Sequence, residues 1–492
     1  MDTLETLQPG DPALKTRALR GGAVTVTSQA LKLVLATLST VILVRLLSPA
    51  DFGLVGMVTS VIGVLAVFKD GGLSAATVQR ETLTDDQVSA LFWANAGIGL
   101  CLGGVCAAGA QLLTGLYSEP RLSGIAMALS GTFVIGSLAV QHRALLRRNL
   151  RFRAIATVEI IAMTLSIGIA IALALAGAGY WALVISAVAR TLIETVGAWL
   201  ALPWVPGRPR RGCGVRPLLR FGGTLTCIEV LNYTFRNADS ILIGWRWGPG
   251  ALGLYQKAYS LLALPLRNIN APITGVMAAA LSRVRAEPLR LRRYFITAHS
   301  AIAASVVPLI ISTVLYADDV VILLLGEAWS EAADIFRFLG PAALVGALLN
   351  PAGALFLATG RLGLQLRLGL VWTTSITIAF AIGLPFGPVG VAAGYSAMSC
   401  VLLVPVIRVV VSGTSVTAWD LGASVGRPVI AGIGAGASGY ILSEMLLGAL
   451  PSLVRVGVGV PLCLAVYAAL LLGVMGRGGG YRDLLRQARA AL

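Results

Sequence analysis

The sequence predicts an all-α polytopic membrane protein: fourteen transmembrane helices, forming two pseudo-symmetric six-helix lobes plus two C-terminal helices. Three observations predict it. Of the 492 residues, 57% are hydrophobic and only 12% are charged, with a mean hydropathy of +0.84; soluble domains run near ~25% charged. Apolar runs of roughly 20 residues, long enough to cross a bilayer, recur along the whole chain. The basic residues are confined largely to alternate loops, a pattern that survives only if the span count is right.

The expected spans are 22–45, 52–69, 88–115, 121–142, 154–177, 179–202, 218–245, 250–282, 294–316, 332–358, 361–384, 388–411, 424–447 and 454–475. The first follows Lys15, Arg17 and Arg20. It is longer than a signal-peptide core and lacks a clear small-residue cleavage site, so it reads as an uncleaved span. One set of loops carries 28 Lys and Arg, including the runs Arg143–Arg153, Arg208–Arg220 and Arg283–Arg293, while the other carries 4. This bias puts both termini in the cytoplasm. It also explains the net charge of +16 without nucleic acid, because the clusters are short and separated by spans. Aromatic pairs mark span ends, with Tyr180–Trp181 and Trp245 with Trp247 outside and Trp199 with Trp204 inside.

The lobes rest on an internal repeat. LLSPADFGLVG from Leu46 resembles RWGPGALGLYQ from Arg246, which pairs Pro49 with Pro249 and Gly53 with Gly253. GAGYWALVIS from Gly177 resembles GPVGVAAGYS from Gly387. The chain therefore divides into a cytoplasmic segment (1–21), an N-lobe of spans 1–6 (22–202), a basic cytoplasmic linker (203–217), a C-lobe of spans 7–12 (218–411), spans 13 and 14 as an appendage (412–475), and a basic tail (476–492). Parallel repeats of this kind place a substrate site near the membrane midplane, between the halves.

Span 7 carries Glu229, Asn232, Arg236 and Asp239 within about a quarter turn of one face, at ~100° per residue. Span 1 carries Thr25, Ser28, Gln29, Lys32 and Ser39 within about a third of a turn. Such stripes face a water-filled cavity or another protein surface rather than lipid. Beyond the 28 and 4 counted with the loops and span ends, six of the 38 Lys and Arg remain inside spans: Lys32, Arg190, Arg236, Lys257, Arg267 and Arg337. Each would cost roughly 2.5–3.5 kcal/mol at a lipid-facing helix centre. They outnumber the acidic residues Glu159, Glu194, Glu229 and Asp239, so the cavity suits an anion such as phosphate or pyrophosphate. Lys32, Gln29, Asn232, Arg236, Arg267 and Lys257 are the substrate-binding candidates. Arg190 and Glu194 are spaced to pair with each other. Glu229 and Asp239 can pair with Arg236 or carry a coupling proton, and these roles are not separable from the residues alone.

The six cysteines show no CxxC pair and read as small packing residues. The two histidines, His142 and His299, lie near cytoplasmic span ends. No zinc-protease, Walker or nucleophile-elbow motif appears, so an enzyme and a resident cofactor are not expected.

LVRLLSPADFGLVGM, KDGGLSAATVQRETLTDDQVSALFWANAGIG, LLRRNLRFRAIATVEI, NYTFRNADSILIGWRWGPGALGLYQKAYSL and NPAGALFLATGR, in that order, resemble the polysaccharide transporter family. That family lies within the multidrug/oligosaccharidyl-lipid/polysaccharide exporter superfamily, and the likeness is strongest to the lipopolysaccharide-biosynthesis and colanic-acid exporter type. The resemblance covers nearly the whole chain. It implies two six-helix lobes in a V, a cationic central cavity and alternating access. The implied substrate is an oligosaccharide linked through pyrophosphate to undecaprenol, moved from the cytoplasmic to the periplasmic leaflet. Polysaccharide polymerases and glycosyltransferases are the implied partners besides the bilayer, and a gradient of H+ or Na+ the implied drive. No family-assigned binding residue transfers. The alternatives are a lipid II flippase or another exporter of the superfamily, and then a membrane glycosyltransferase or polymerase. Asp318 and Asp319 discriminate the last: changing both to Asn is expected to leave a flippase's export intact and to abolish an enzyme that uses them.

Overall fold

The computed structural model describes residues 12–70, 72–80, 83–208, 233, 236–447 and 451–474. Among these every regular element is a helix. In order they are α1 (Pro12–Leu46), α2 (Pro49–Asp70), α3 (Leu73–Gln79), α4 (Asp85–Ala108), α5 (Ala110–Tyr117), α6 (Arg121–Ser137), α7 (Val140–Arg148), α8 (Phe152–Leu175) and α9 (Tyr180–Ala201). There follow α10 (Ala238–Arg283), α11 (Pro288–Leu315), α12 (Ala317–Leu325), α13 (Ala332–Leu349), α14 (Ala352–Thr359), α15 (Leu362–Gly383), α16 (Gly387–Val411), α17 (Ala418–Leu447) and α18 (Ser452–Ala469). Nine stretches of the described residues are long and apolar enough to span a membrane, or ten with the bent pair α6–α7. One 50-residue stretch, Leu362–Val411, holds both α15 and α16. The protein is a polytopic helical membrane protein.

Several expected spans are broken. Span 4 is α6 and α7, bent by 41°. Span 3 divides at Gly109 into α4 and α5, and span 10 divides into α13 and α14. The outer segment after Tyr316, expected as a short loop, begins with the helix α12 and a 3-10 turn at Glu327–Trp329. A break in a membrane helix frees backbone carbonyls that lipid cannot satisfy. At the α6–α7 break, α9 supplies the donors: Thr195 Oγ1 donates to Ile135 O at 3.1 Å and Trp199 Nε1 to Leu138 O at 3.0 Å.

Helix starts follow local chemistry. Ser48 and Asp51 cap each other's backbone N–H groups at 3.3 and 2.9 Å. Thr84 with Gln87 opens α4 as a capping box, and Thr417 with Asp420 makes the same reciprocal cap at 3.2 and 2.9 Å before α17. Each satisfies donors that a helix N-terminus leaves unpaired.

The chain forms two compact units, residues 1–253 and 254–492; the division falls within α10 rather than in the basic linker. In the first unit, Leu43 of α1 and Leu47 just after it pack with Ala170 and Ala174 of α8 and Ala182 of α9. Near the other end, Leu145 and Leu146 of α7 pack with Leu83, Val88 and Leu202. The repeat-paired segments meet inside this unit. A Cβ on Gly53 would land on the Pro249 carbonyl oxygen, and one on Gly253 would land on that of Pro49. The paired positions Gly177 and Gly387 share a left-handed φ, +79° and +80°, which glycine adopts without steric cost.

In the second unit, α17 and α18 are built into the packing rather than appended to it. Ala431 and Ala435 of α17 pack with Tyr467 of α18 and Leu471 beyond it. Tyr316 donates to Gly439 O at 3.2 Å. His299 of α11 bonds Ser424 Oγ of α17 at 2.8 Å and Leu348 O of α13 at 3.0 Å. Arg292 holds Asp420 through two bonds of 2.8 and 2.7 Å. Those Arg292 bonds, with the Thr417 cap adding to them against partial desolvation, hold the Asp420 carboxyl down at about 2.

Two outcomes follow from this packing. Gly53→Ala or Gly253→Ala overpacks a backbone crossing, a fault that costs about 1–3 kcal/mol; each is expected to lower the unfolding temperature in detergent, while Gly97→Ala, which meets open space within a helix, does not lower it. Asp420, with its folded-state pKa depressed, contributes stability that is whole above the unfolded carboxylate range of ~4 and is lost as pH falls through about 2. The stability gap between the wild type and Asp420→Asn is therefore expected to close across that acidic window in thermal unfolding, and to stay constant above it.

Candidate functional site

The bend between α6 and α7 re-aims the last two turns of an apolar run. Gln141 donates to Asn95 Oδ1 at 2.8 Å and accepts from Thr77 Oγ1 at 2.8 Å. His142 is buried, stacks on Trp199 with ring centroids 4.3 Å apart, and approaches Trp204 O at 3.0 Å. These contacts fix α7 rotationally and leave Arg143, the next residue, facing α8 and α9.

There Arg143 completes a set of five charges from four helices. Glu159 of α8 accepts from Lys32 of α1 at 2.7 Å through one carboxylate oxygen and from Arg143 at 2.9 Å through the other. The second fork nitrogen of Arg143 donates to Glu194 of α9 at 3.0 Å, and Arg190 reaches the other Glu194 oxygen at 3.0 Å. The order is Lys32, Glu159, Arg143, Glu194, Arg190. Both carboxylates use both oxygens, and the guanidinium of Arg143 spans two partners as only a planar fork can. The ladder carries three positive and two negative charges.

Every member is partly accessible. Side-chain exposure is 17% for Lys32, 19% for Glu159, 33% for Arg143, 18% for Glu194 and 47% for Arg190. Charged groups this exposed in a membrane-spanning unit do not sit against lipid. The ladder therefore lines a polar surface.

The expected candidates distribute unevenly around it. Lys32 is in the ladder, but as the partner of Glu159 rather than as an uncompensated cation. Arg190 and Glu194 form the i,i+4 pair their spacing implies, extended by Arg143. Gln29 is exposed on α1. Arg236 is exposed ahead of α10, and Asp239 is buried with an oxygen 2.6 Å from the Ser240 N–H. Glu229 and Asn232 lie outside the described residues, as does the side chain of Arg267. Lys257, in the second unit, is half-buried on α10. Arg337 pairs with Asp334 at 2.7 Å and with Asp318, and Arg455 pairs with Asp319 at 3.3 Å, so both acids of the Asp318–Asp319 pair are engaged by arginines.

Arg143 was the residue hidden from sequence reasoning. Its position at the head of the Arg143–Arg153 run assigns it to a topogenic cytoplasmic cluster, and the structure instead makes it the centre of the ladder. The signal available was its place inside the apolar run LAVQHRALL, four residues before Arg147. Glu159 was visible as an acid within a span, but nothing in its spacing names Lys32 and Arg143 as its partners.

Known proteins resemble the chain in sequence and in fold. The lipopolysaccharide biosynthesis protein WzxC of Escherichia coli is 24% identical over 410 residues, 81% of each chain. The teichuronic acid biosynthesis protein TuaB of Bacillus subtilis is 27% identical over 317 residues, 64% of this chain and 65% of its own. The lipid II flippase MurJ in an inward closed conformation superposes with a TM-score of 0.74 at 14% identity, over 95% of this chain and all of that one; at that identity the likeness establishes the fold. The model of the family described as "Polysaccharide biosynthesis protein" matches residues 42–334, well over half of the sequence and including four of the five ladder residues. The chain belongs to that polysaccharide biosynthesis protein family.

Proposed function

We propose that the protein is a flippase, not an enzyme, that moves an undecaprenyl-pyrophosphate-linked oligosaccharide, the precursor of a surface polysaccharide, from the cytoplasmic to the periplasmic leaflet by alternating access. The observation that carries this reading is the ladder of Lys32, Glu159, Arg143, Glu194 and Arg190 inside a membrane-spanning unit. A cation-rich polar surface there has one economical use, which is to hold an anionic headgroup that lipid alone would exclude. Family membership and the flippase-like fold support the same reading.

In this mechanism Lys32, Arg143 and Arg190 bind the pyrophosphate, and Gln29, Asn232, Arg236, Lys257 and Arg267 complete a polar path for the sugars while the polyprenyl tail stays in the bilayer. Two six-helix lobes, residues 22–202 and 218–411, rock about the site; the shared φ of Gly177 and Gly387 and the mutual approach of Gly53 and Gly253 support the repeat behind them. Both termini lie in the cytoplasm. Glu229 and Asp239 serve coupling to H+ or Na+, or balance Arg236. A polymerase or glycosyltransferases supply and consume the cargo at the two faces.

Lys32→Ala and Arg143→Ala are each expected to reduce export at least about tenfold, the size of losing a charge-assisted bond, at wild-type protein level, whereas Arg337→Ala retains it. Depletion of the protein is expected to trap a lipid-linked oligosaccharide in the cytoplasmic leaflet. Accumulation of lipid II instead identifies a peptidoglycan-precursor flippase, and full export in both cation variants removes the ladder from the mechanism.

A further inference from the structure

The ladder has an uneven design. Glu194 is held by Arg190 of its own helix as well as by Arg143. Glu159 has no partner on α8 among its bonds. It bridges two cations from separate elements, Lys32 of α1 through one oxygen and Arg143 of α7 through the other. Two oxygens on one centre, each accepting from a different cation at 2.7 and 2.9 Å, is also how a phosphoryl group sits between a lysine and an arginine. We propose that Glu159 is an internal stand-in for the substrate's phosphate: it occupies the Lys32–Arg143 anion position in the empty transporter, and substrate must displace it to bind.

Charge supports the assignment. The ladder as it stands is net +1, from three cations and two carboxylates. A pyrophosphate diester carries two negative charges. With Glu159 withdrawn from the site, Lys32, Arg143 and Arg190 against Glu194 leave +2, which a pyrophosphate neutralises. Withdrawing Glu194 instead would leave the same sum, but it would free two cations of which one, Arg190, is the most exposed member, and Glu159 would still block the Lys32–Arg143 gap.

The stand-in has two consequences for transport. It keeps the cations compensated while the site is empty, so that no unpaired charge is stranded in the membrane. It also competes with bound pyrophosphate and so speeds release. Glu159 is therefore a positioning and specificity-setting residue, and its loss trades turnover for affinity. This inference rests on the ladder being the substrate's anion site.

The test measures binding of inorganic pyrophosphate and of an undecaprenyl-pyrophosphate-linked sugar to the purified full-length protein, with flipping rates in proteoliposomes. Glu159→Gln keeps the shape and removes the charge. It is expected to bind both ligands at least about tenfold tighter than the wild type, as expected when a competing charge-assisted contact is removed, and to flip more slowly at saturation. Glu159→Asp, one methylene shorter, bridges the gap poorly and is expected to fall between the two in both measures, so it carries the test where the amide variant folds badly. A merely structural Glu159 would give weaker binding in both variants. Equal or weaker affinity in folded variants, with a wild type that binds, overturns the stand-in and leaves the flippase reading standing. If Lys32→Ala binds pyrophosphate as tightly as the wild type does, the ladder is not the anion site, and the proposal falls with it.

Discussion

A charge in a bilayer is tolerated only when another charge or a polar surface meets it, and the first unit is arranged around that requirement. Lys32 on α1 is held by Glu159 on α8, and the same carboxylate holds Arg143 on α7, which reaches on to Glu194 and Arg190 on α9. Four helices must keep their register for those bonds to exist. The apolar contacts of Leu43, Leu47, Ala170, Ala174 and Ala182 set that register along one end. The ladder is partly accessible, so screening reduces what its bonds add to stability; its value lies in holding cations ready without leaving them bare.

The backbone obeys the same rule as the side chains. An unbroken continuation of α6 could not present Arg143 to α8 and α9 in this way, and the bend exposes carbonyls that need donors. Thr195 and Trp199 supply them from α9, the helix that also carries Arg190 and Glu194. Support of the break and construction of the site thus come from one element. After α9, Trp93 Nε1 donates to Gly207 O at 2.9 Å and the Gly207 N–H donates to Ser89 Oγ at 2.9 Å, which ties the outgoing chain to α4. The second unit uses His299 through Ser424, Tyr316 and the Arg292–Asp420 pair to join α17 to α11 and its neighbours. The two C-terminal helices are therefore part of that unit's core.

The glycine crossing places a different demand on the chain. Pro49 and Pro249 occupy paired positions in the repeat, and each presents its carbonyl to the glycine four residues after the other proline. A reciprocal contact between related segments is what a local two-fold relation produces. Side chains at either glycine would drive the backbones apart, so the short sequence match reflects a packing constraint as well as shared turn chemistry.

Much of this was legible before any coordinates. Long apolar runs are set by bilayer thickness and alternating arginines by membrane insertion, both of which act on sequence-local features; helical class, membrane location and the identity of Lys32, Arg190 and Glu194 as charges within spans follow from them. The i,i+4 pairing of Arg190 with Glu194 is local in the same sense. The bend after Ser137, the conversion of Arg143 from loop charge to site residue and the bridging role of Glu159 were decided only in the tertiary structure. They join residues 16 to 127 positions apart, and a helical period of 3.6 residues carries no information about which neighbouring helix will meet a given face. Which charges sit in the membrane is written in the sequence; which of them compensate each other depends on how the helices pack.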